Sequence, residues 1–223
     1  MSDAVLELNG LTKSFRGRKI LDDVSLTVHS GEFLVLYGPS GAGKTTLLNV
    51  ISGLDRKFQG GVKLLGRELS GLSDTAISGL RGANIGFIFQ EPFFLDRLSC
   101  LQNIALAGRF SGKKFSMEKA AVLLERLGMA ELADQRPDRL SGGQRRRLAM
   151  ARALIGDPQL LLCDEPTGNL DAALGEEILT MLVRLAAEGR TLIVATHDER
   201  VAKCAHRIFR LEHGSLIEGG PGA

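Results

Sequence analysis

The stretch GPSGAGKT, Gly38 to Thr45, constrains this chain more than any other. It follows FLVLY, Phe33 to Tyr37, a short continuous apolar run of the kind expected of a strand buried on both faces. It opens onto TTLLNVISGL, which reads as a helix closed by Gly53. A glycine-rich turn between such a strand and helix fits G-x-x-x-x-G-K-[ST] in the context its chemistry requires. Glycines at 38, 41 and 43 let backbone N–H groups turn inward around phosphate oxygens, and the helix dipole adds positive potential. Lys44 is expected to reach the β- and γ-phosphates of a nucleotide, and the Thr45 hydroxyl to ligate Mg²⁺. The expected nucleotide-binding set is Gly38, Pro39, Ser40, Gly41, Ala42, Gly43, Lys44, Thr45 and Thr46.

Three further apolar runs read as buried strands: IGFIF (Ile85 to Phe89), QLLLC (Gln159 to Cys163) and TLIVAT (Thr191 to Thr196). Between the last two, Leu174, Ile178, Met181, Leu182 and Leu185 recur at helical spacing, and Gly189 ends that helix. Strands alternating with helices argue for an α/β fold around a mostly parallel sheet. Val24, Leu26 and Val28 alternate with Ser25, Thr27 and His29, and with AVLELNG before them they suggest a small antiparallel sheet at the N-terminus. From 91 to 155 the patterns are helical, as in EKAAVLLERLG, with no convincing strand. The reading is therefore one domain over 1–223: an α/β core with its β subdomain at 1–90 and 156–223, and a helical subdomain inserted at 91–155. The tail RIFRLEHGSLIEGGPGA is expected to form a closing hairpin followed by frayed residues.

A formal charge of +2 gives no global reason to expect nucleic acid as a partner, and 44% hydrophobic residues can fill a core. Cys100, Cys163 and Cys204 are odd in number and widely spaced, which reads as reduced thiols in a cytosolic protein. The first residues lack the basic-then-apolar layout of a secretion signal. No apolar run approaches the roughly 18 residues a membrane helix needs. Any membrane role is expected to be borrowed from a partner.

Two carboxylates follow QLLLC, in LLLCDEP. Asp164, at the end of a buried strand, can accept from a Mg²⁺-bound water or orient Thr45. Glu165 points elsewhere, toward where an attacking water would sit, and a carboxylate there can act as general base. The blander alternative is a helix N-cap pair ahead of Pro166. His197 follows TLIVAT directly, where open parallel sheets put ligand-contacting groups, and is expected to sense the γ-phosphate.

A second glycine-rich turn, LSGGQ, Leu140 to Gln144, opens another helix, with Ser141 as its cap. With GPSGAGKTT, Gln90 after IGFIF, LLLCDEP, GNLD and ATHD, in that order, the chain resembles the ATP-binding subunits of ABC transporters from end to end. The resemblance implies a RecA-like core and ATP with Mg²⁺ as ligands. It implies two subunits packed head to tail, each ATP lying between one P-loop and the other subunit's LSGGQ. Ser141, Gly142, Gly143 and Gln144 would thus act in trans, and Asp171 would communicate across the dimer. Phe15 would stack on adenine, where the family often has Tyr. Gln90 would contact Mg²⁺ or the attacking water. Catalysis would rest on Glu165, His197 and Gln90, and Mg²⁺ on Thr45, Gln90 and, through water, Asp164.

The resemblance also implies an integral membrane subunit docking near Gln90–Cys100, and a cytoplasmic cassette held at the inner face of the membrane by that subunit. Phe93, Phe94 and Leu95 suit such docking, or else pack the core of the insertion. DEPTGNLD and LSDTAISGLRGANIGFIFQ most resemble the group that drives lipoprotein release, macrolide efflux and the septal cell-division complex. Gln102, where that group commonly has Glu, and the basic LSGGQRRRLAM are departures. Arg145, Arg146 and Arg147 are expected on a solvated helix face, with salt bridges or contact on the γ-phosphate side, and not on nucleic acid. His29, His206 and His213 are expected at the surface. The dimer partner is the same chain or a similar ATPase. Two other classes stay open: a soluble ABC-type ATPase, which usually carries tandem cassettes or long insertions, and another P-loop enzyme, for which the guanine motif N-K-x-D is lacking.

Overall fold

A computed structural model describes residues 4–220 of the chain. Of the frayed tail expected after the hairpin, residues 221–223 lie outside the described residues. In chain order the elements are β1 (Ala4–Phe15), β2 (Arg18–His29), β3 (Phe33–Tyr37), α1 (Lys44–Ile51), β4 (Gln59–Leu64), β5 (Arg67–Glu68), α2 (Asp74–Asn84) and β6 (Ile85–Ile88). Then come α3 (Cys100–Phe110), α4 (Met117–Arg126), α5 (Gly142–Leu154), β7 (Leu160–Asp164), α6 (Ala172–Ala187), β8 (Thr191–Thr196), α7 (Glu199–Ala202), β9 (Arg207–Glu212) and β10 (Ser215–Glu218).

Two sheets organise them, ordered β2-β1-β4-β5 and β10-β9-β3-β8-β7-β6. The first is antiparallel throughout. In the second, β9, β3, β8, β7 and β6 run parallel, and β10 folds back on β9 as the closing hairpin. The apolar runs explain why this sheet sits in the middle. Side chains alternate across a strand, so Phe33 and Val35, Leu161 and Cys163, and Leu192 and Val194 face α5 and α6. Leu34 and Leu36, Leu160 and Leu162, and Ile193 and Ala195 face α1 and the antiparallel sheet. Both faces are covered, so no position on these strands could be polar without cost. Truncating a fully buried leucine such as Leu34 is expected to cost about 2–5 kcal/mol.

Between β6 and β7, α3 and α4 pack on each other and on α5, and no strand forms there. Two elements have weak sequence signals. The helix α2 carries Gly79 and Gly82, which lower helix propensity, and its start is set by Ser73 accepting from the Ala76 N–H. The strand β4 begins Gln59-Gly60-Gly61, poor in strand formers, and is held by pairing with β1. Among the described residues no helix is long and apolar enough to cross a membrane. Cys100 and Cys163 are buried, Cys204 is exposed, and none is paired.

Candidate functional site

The loop after β3 is built for anion contact by its backbone. Gly43, the residue before α1, has φ 106°, and a Cβ there would lie 3.2 Å from the Ile20 carbonyl oxygen. Only glycine adopts that turn while packed so tightly. Lys44 is 5% exposed and donates to the Gly38 and Pro39 carbonyls at 2.7 and 3.1 Å. Its Nζ also lies 3.2 Å from Glu165 Oε1. The ammonium is thus held over the loop that it is expected to serve.

The ends of β7 and β8 bring in the acidic groups. Thr45 Oγ1 donates to Asp164 Oδ2 at 2.7 Å, so the first residue after the lysine and the last residue of β7 meet across 119 positions. The other oxygen, Asp164 Oδ1, is buried without a hydrogen-bond partner. Burial pushes the Asp164 carboxyl above its usual range, against the Thr45 hydrogen bond. A hard cation beside a threonine hydroxyl and an orphaned carboxylate oxygen would remove that cost, so the donor set fits Mg²⁺. Among the described residues no group of three His, Cys, Asp or Glu could hold a metal alone, which suits an ion that takes most ligands from phosphates and water.

Glu165 sits one residue beyond the strand at φ 44°, a conformation rare for a side-chain-bearing residue, with its N–H bonded to the Ala195 carbonyl at 2.8 Å. This backbone turn sends its side chain away from that of Asp164. Its Oε2 accepts from Thr196 Oγ1 at 3.1 Å, and its Oε1 meets His197 Nδ1 at 3.1 Å. The Glu165 side chain is 9% exposed, whereas that of His197 is 60% exposed. Asp198 is held by Arg200, which keeps its carboxyl below the usual range, and accepts from Thr167 Oγ1 at 3.0 Å. The loops after β7 and β8 are therefore tied together directly behind the two carboxylates.

One cavity of about 500 Å³ is lined by Phe15, Ser40, Gly41, Gly43, Lys44, Thr45, Thr46, Gln90, Asp164, Glu165 and His197. Most of the residues singled out from sequence for nucleotide and metal thus converge on one space. Phe15, 63% exposed at the tip of the β1–β2 hairpin, forms its open edge. Lys13 and Asp55 also line it, and sequence reading did not find them. Lys13 Nζ is paired with Asp55 Oδ1 at 2.7 Å and donates to the Lys57 carbonyl. The available signal was a lysine at an inward-facing strand position, in step with Leu11.

The second glycine turn lies elsewhere. Ser141 caps α5: its Oγ accepts from the Gln144 N–H while Gln144 Oε1 accepts from the Ser141 N–H, a closed capping box. Ser141 and Gly142 are exposed, and neither lines the cavity around Lys44. Gly143 is buried, and a Cβ there would come within 2.6 Å of Leu174 Cδ2, so α5 and α6 meet through this glycine. Asp171, exposed, caps α6 by accepting from the Leu174 N–H at 2.9 Å.

The segment between β6 and α3 divides. Phe94 is 2% exposed in the core, whereas Phe93 is 76% exposed, and with Phe89 and Phe110 lines a groove of about 600 Å³ beside β6. The arginine run divides, with Arg145 and Arg147 partly exposed and Arg146 buried. Arg147 pairs with Glu177, and Arg145 donates to the Pro137 carbonyl at 2.8 Å. Arg146, however, is 5% exposed and reaches carbonyls 56, 57 and 22 positions away. Burial lowers its pKa. His206 is exposed, but its Nδ1 accepts from the Phe33 N–H at the start of β3. His29 is half-buried and His213 exposed.

A family model described as ABC transporter matches residues 21–168. The Macrolide export ATP-binding/permease protein MacB of Chlorobaculum tepidum is 39% identical over 219 residues, covering 96% of this chain and 34% of that protein. The Uncharacterized ABC transporter ATP-binding protein YknY of Bacillus subtilis is 38% identical over 224 residues, covering 98% of this chain and 97% of that protein. The chain thus spans about a third of the length of several curated relatives and nearly all of another. Among solved structures, the dimeric post-hydrolysis state of the ATP-binding cassette MJ0796, bound to ADP and Pi, superposes with a TM-score of 0.89 at 34% identity, covering 96% of this chain and 98% of that one.

Proposed function

The chain belongs to the ABC transporter family as an ATP-binding cassette that hydrolyses ATP, and we propose that two such cassettes close head to tail around two Mg-ATP to drive a membrane-embedded permease. The observation that carries this reading is the position of the Ser141–Gln144 turn. It is a helix N-terminus with exposed donors, suited to anions, yet it lies outside the cavity that holds Lys44. A second cassette packed head to tail would bring its own copy of this turn to the open side of a triphosphate bound in the first. The MJ0796 cassette, whose structure is dimeric, supports that arrangement.

In the proposed mechanism the loop amides of 38–43 cradle the β- and γ-phosphates, and Lys44 transfers its contact from Glu165 to phosphate. Thr45 and Gln90, with Asp164 through water, would hold Mg²⁺, which would supply charge neutralisation at the phosphates. Glu165 then takes a proton from the attacking water. Its φ of 44° and its contact with Thr196 hold it facing the cavity, and His197 keeps it oriented while reaching the γ-phosphate. Phe15 stacks on the base. Ser141, Gly142, Gly143 and Gln144 close the partner's site, and Asp171 faces across the dimer.

We assign the permease contact to the groove of Phe89, Phe93 and Phe110, at the cytoplasmic face of the membrane. Similarity to MacB supports an export or force-transmitting complex. The test uses a tagged Glu165→Gln chain, locked with Mg-ATP, to capture partners from detergent-solubilised membranes of the source cells. A partner with few membrane spans and a large extracytoplasmic domain is expected. One with many spans and no such domain would move the chain to conventional transport, and capture of soluble protein alone would remove the membrane role.

A further inference from the structure

The arginine at 146 is left without a role by the reading above. It is a guanidinium almost wholly buried, 5% exposed, whose acceptors are all backbone carbonyls. One terminal nitrogen donates to Phe89 O at 2.9 Å and Gln90 O at 2.7 Å; the other donates to Gly168 O at 3.2 Å. A buried charge is costly unless it is well hydrogen-bonded, and three neutral acceptors could have been matched more cheaply by a neutral side chain on each segment. What arginine adds is a rigid planar fork able to hold separate chain segments at once.

The three segments are the ones the ATPase cycle needs to keep in step. Gln90 lines this chain's own nucleotide cavity. Gly168 donates its N–H back to the Glu165 carbonyl at 3.0 Å and stands three residues before Asp171. Arg146 itself rides on α5, whose first turn is Gly142-Gly143-Gln144. Other arginines fix the far end of the same loop to the same helix: Arg152 donates to the Phe93 carbonyl, and Arg145 and Arg152 lie over the Phe94 ring at 5.3 and 4.8 Å. The loop from Phe89 to Phe94 is thus fastened to α5 along its length, and a shift of one carries the other.

We propose that Arg146 is a positioning residue that joins the two nucleotide sites of the dimer. Through one buried fork, the Gln90 loop, which lines this chain's own nucleotide cavity, and the Gly168 loop, bonded to Glu165, set the pose of the Ser141–Gln144 turn that serves the partner's ATP. This rests on the in-trans reading of that turn. A contiguous packed network on which both sites act can carry coupling of this sort, and the fork is the contact that closes it.

The test measures ATP hydrolysis by the purified chain against ATP concentration, beside the affinity of the monomer for a fluorescent ATP analogue. The parent chain is expected to give a sigmoidal curve, with a Hill coefficient approaching the two sites of the dimer. Arg146→Met is expected to bring the coefficient close to one and to lower kcat about fivefold or more, leaving monomer affinity within about twofold. Arg146→Lys, which keeps the charge but donates from one point, is expected to fall between, and it stands in should the Met variant not fold. An unchanged Hill coefficient in a folded variant would overturn the proposal, as would a fall in monomer affinity matching the loss of kcat. A hyperbolic curve from the parent would also overturn it while leaving the dimer reading intact. Failure of Glu165→Gln to dimerise with Mg-ATP would instead remove the dimer reading itself.

Discussion

The two glycine-rich turns of this chain are the same local device in different surroundings. Each opens a helix, and each therefore presents unsatisfied N–H groups and positive potential. The turn before α1 faces a cavity that already holds Lys44, Thr45 and two carboxylates. The turn before α5 is closed by its own capping box and lies outside that cavity, its exposed end sharing a separate groove with Arg145. On the proposed function, the difference teaches that a helix N-terminus becomes half a site or a whole one according to what the sheet behind it supplies. Behind the first stand the C-terminal ends of β7 and β8. Behind the second stands Leu174 of α6, which supplies packing and no chemistry.

Four substitutions press on that contrast. The largest effect is expected from Glu165→Gln, which removes the base from the complete turn. Turnover should fall by about 10²–10⁴, with ATP binding retained, and steady-state hydrolysis beside nucleotide titration would show it; normal turnover would exclude Glu165 as the base. Ser141→Arg acts on the incomplete turn. It should leave ATP binding by the monomer intact and abolish the ATP-dependent dimer in sedimentation, whereas a loss of monomer affinity would make the two turns parts of one site. Gly143→Ala tests the packing behind the second turn. Its methyl group meets Leu174 at 2.6 Å and should cost about 1–3 kcal/mol. A compensating Leu174→Ala should recover part of that in thermal unfolding, and no recovery would place the strain elsewhere.

The smallest effect concerns pH. Burial raises the Asp164 pKa in the folded chain above its value in the unfolded one. In acid, below both values, the group is protonated in both states and costs nothing. As pH rises through the interval, the unfolded chain releases its proton first, so stability is lost, and the loss is complete above the folded-state value. Asp164→Asn should therefore unfold at a slightly higher temperature than the parent at neutral pH without nucleotide, the gap closing in acid. The same variant should no longer be stabilised by Mg²⁺ added with ATP. A gap that is absent or reversed at neutral pH would remove the burial argument.

What could be read in the sequence was what is local in the chain. The first turn, the Asp164-Glu165 pair, His197 and the helix cap at Ser141 each lie within a few residues of a recognisable strand or helix boundary. The parallel sheet followed from apolar runs buried on both faces. Lys13 was missed because its partner Asp55 is 42 residues away. Within the arginine run Arg146 was misread because charge alone favours a solvated face, and only the tertiary approach of the Gln90 and Gly168 loops supplies the carbonyls that Arg146 needs. Phe93 and Phe94 are adjacent in sequence and opposite in fate, since a loop has no periodicity to say which of two neighbours turns inward.

Under the proposed function, the contact between Lys44 and Glu165 makes nucleotide entry an exchange of counter-ions. Without ATP the pocket is already neutralised from within, so the lysine does not wait as a bare charge for any passing anion. On the proposed mechanism a triphosphate displaces the carboxylate from the ammonium, and the same event sets free the group that will accept the water's proton. The base is therefore masked until a substrate arrives to unmask it. The measured affinity for ATP is then a net quantity, reduced by the pair that must break. A chain with glutamine at 165 has a weaker competitor for Lys44, so it should hold ATP more tightly than the parent as well as longer.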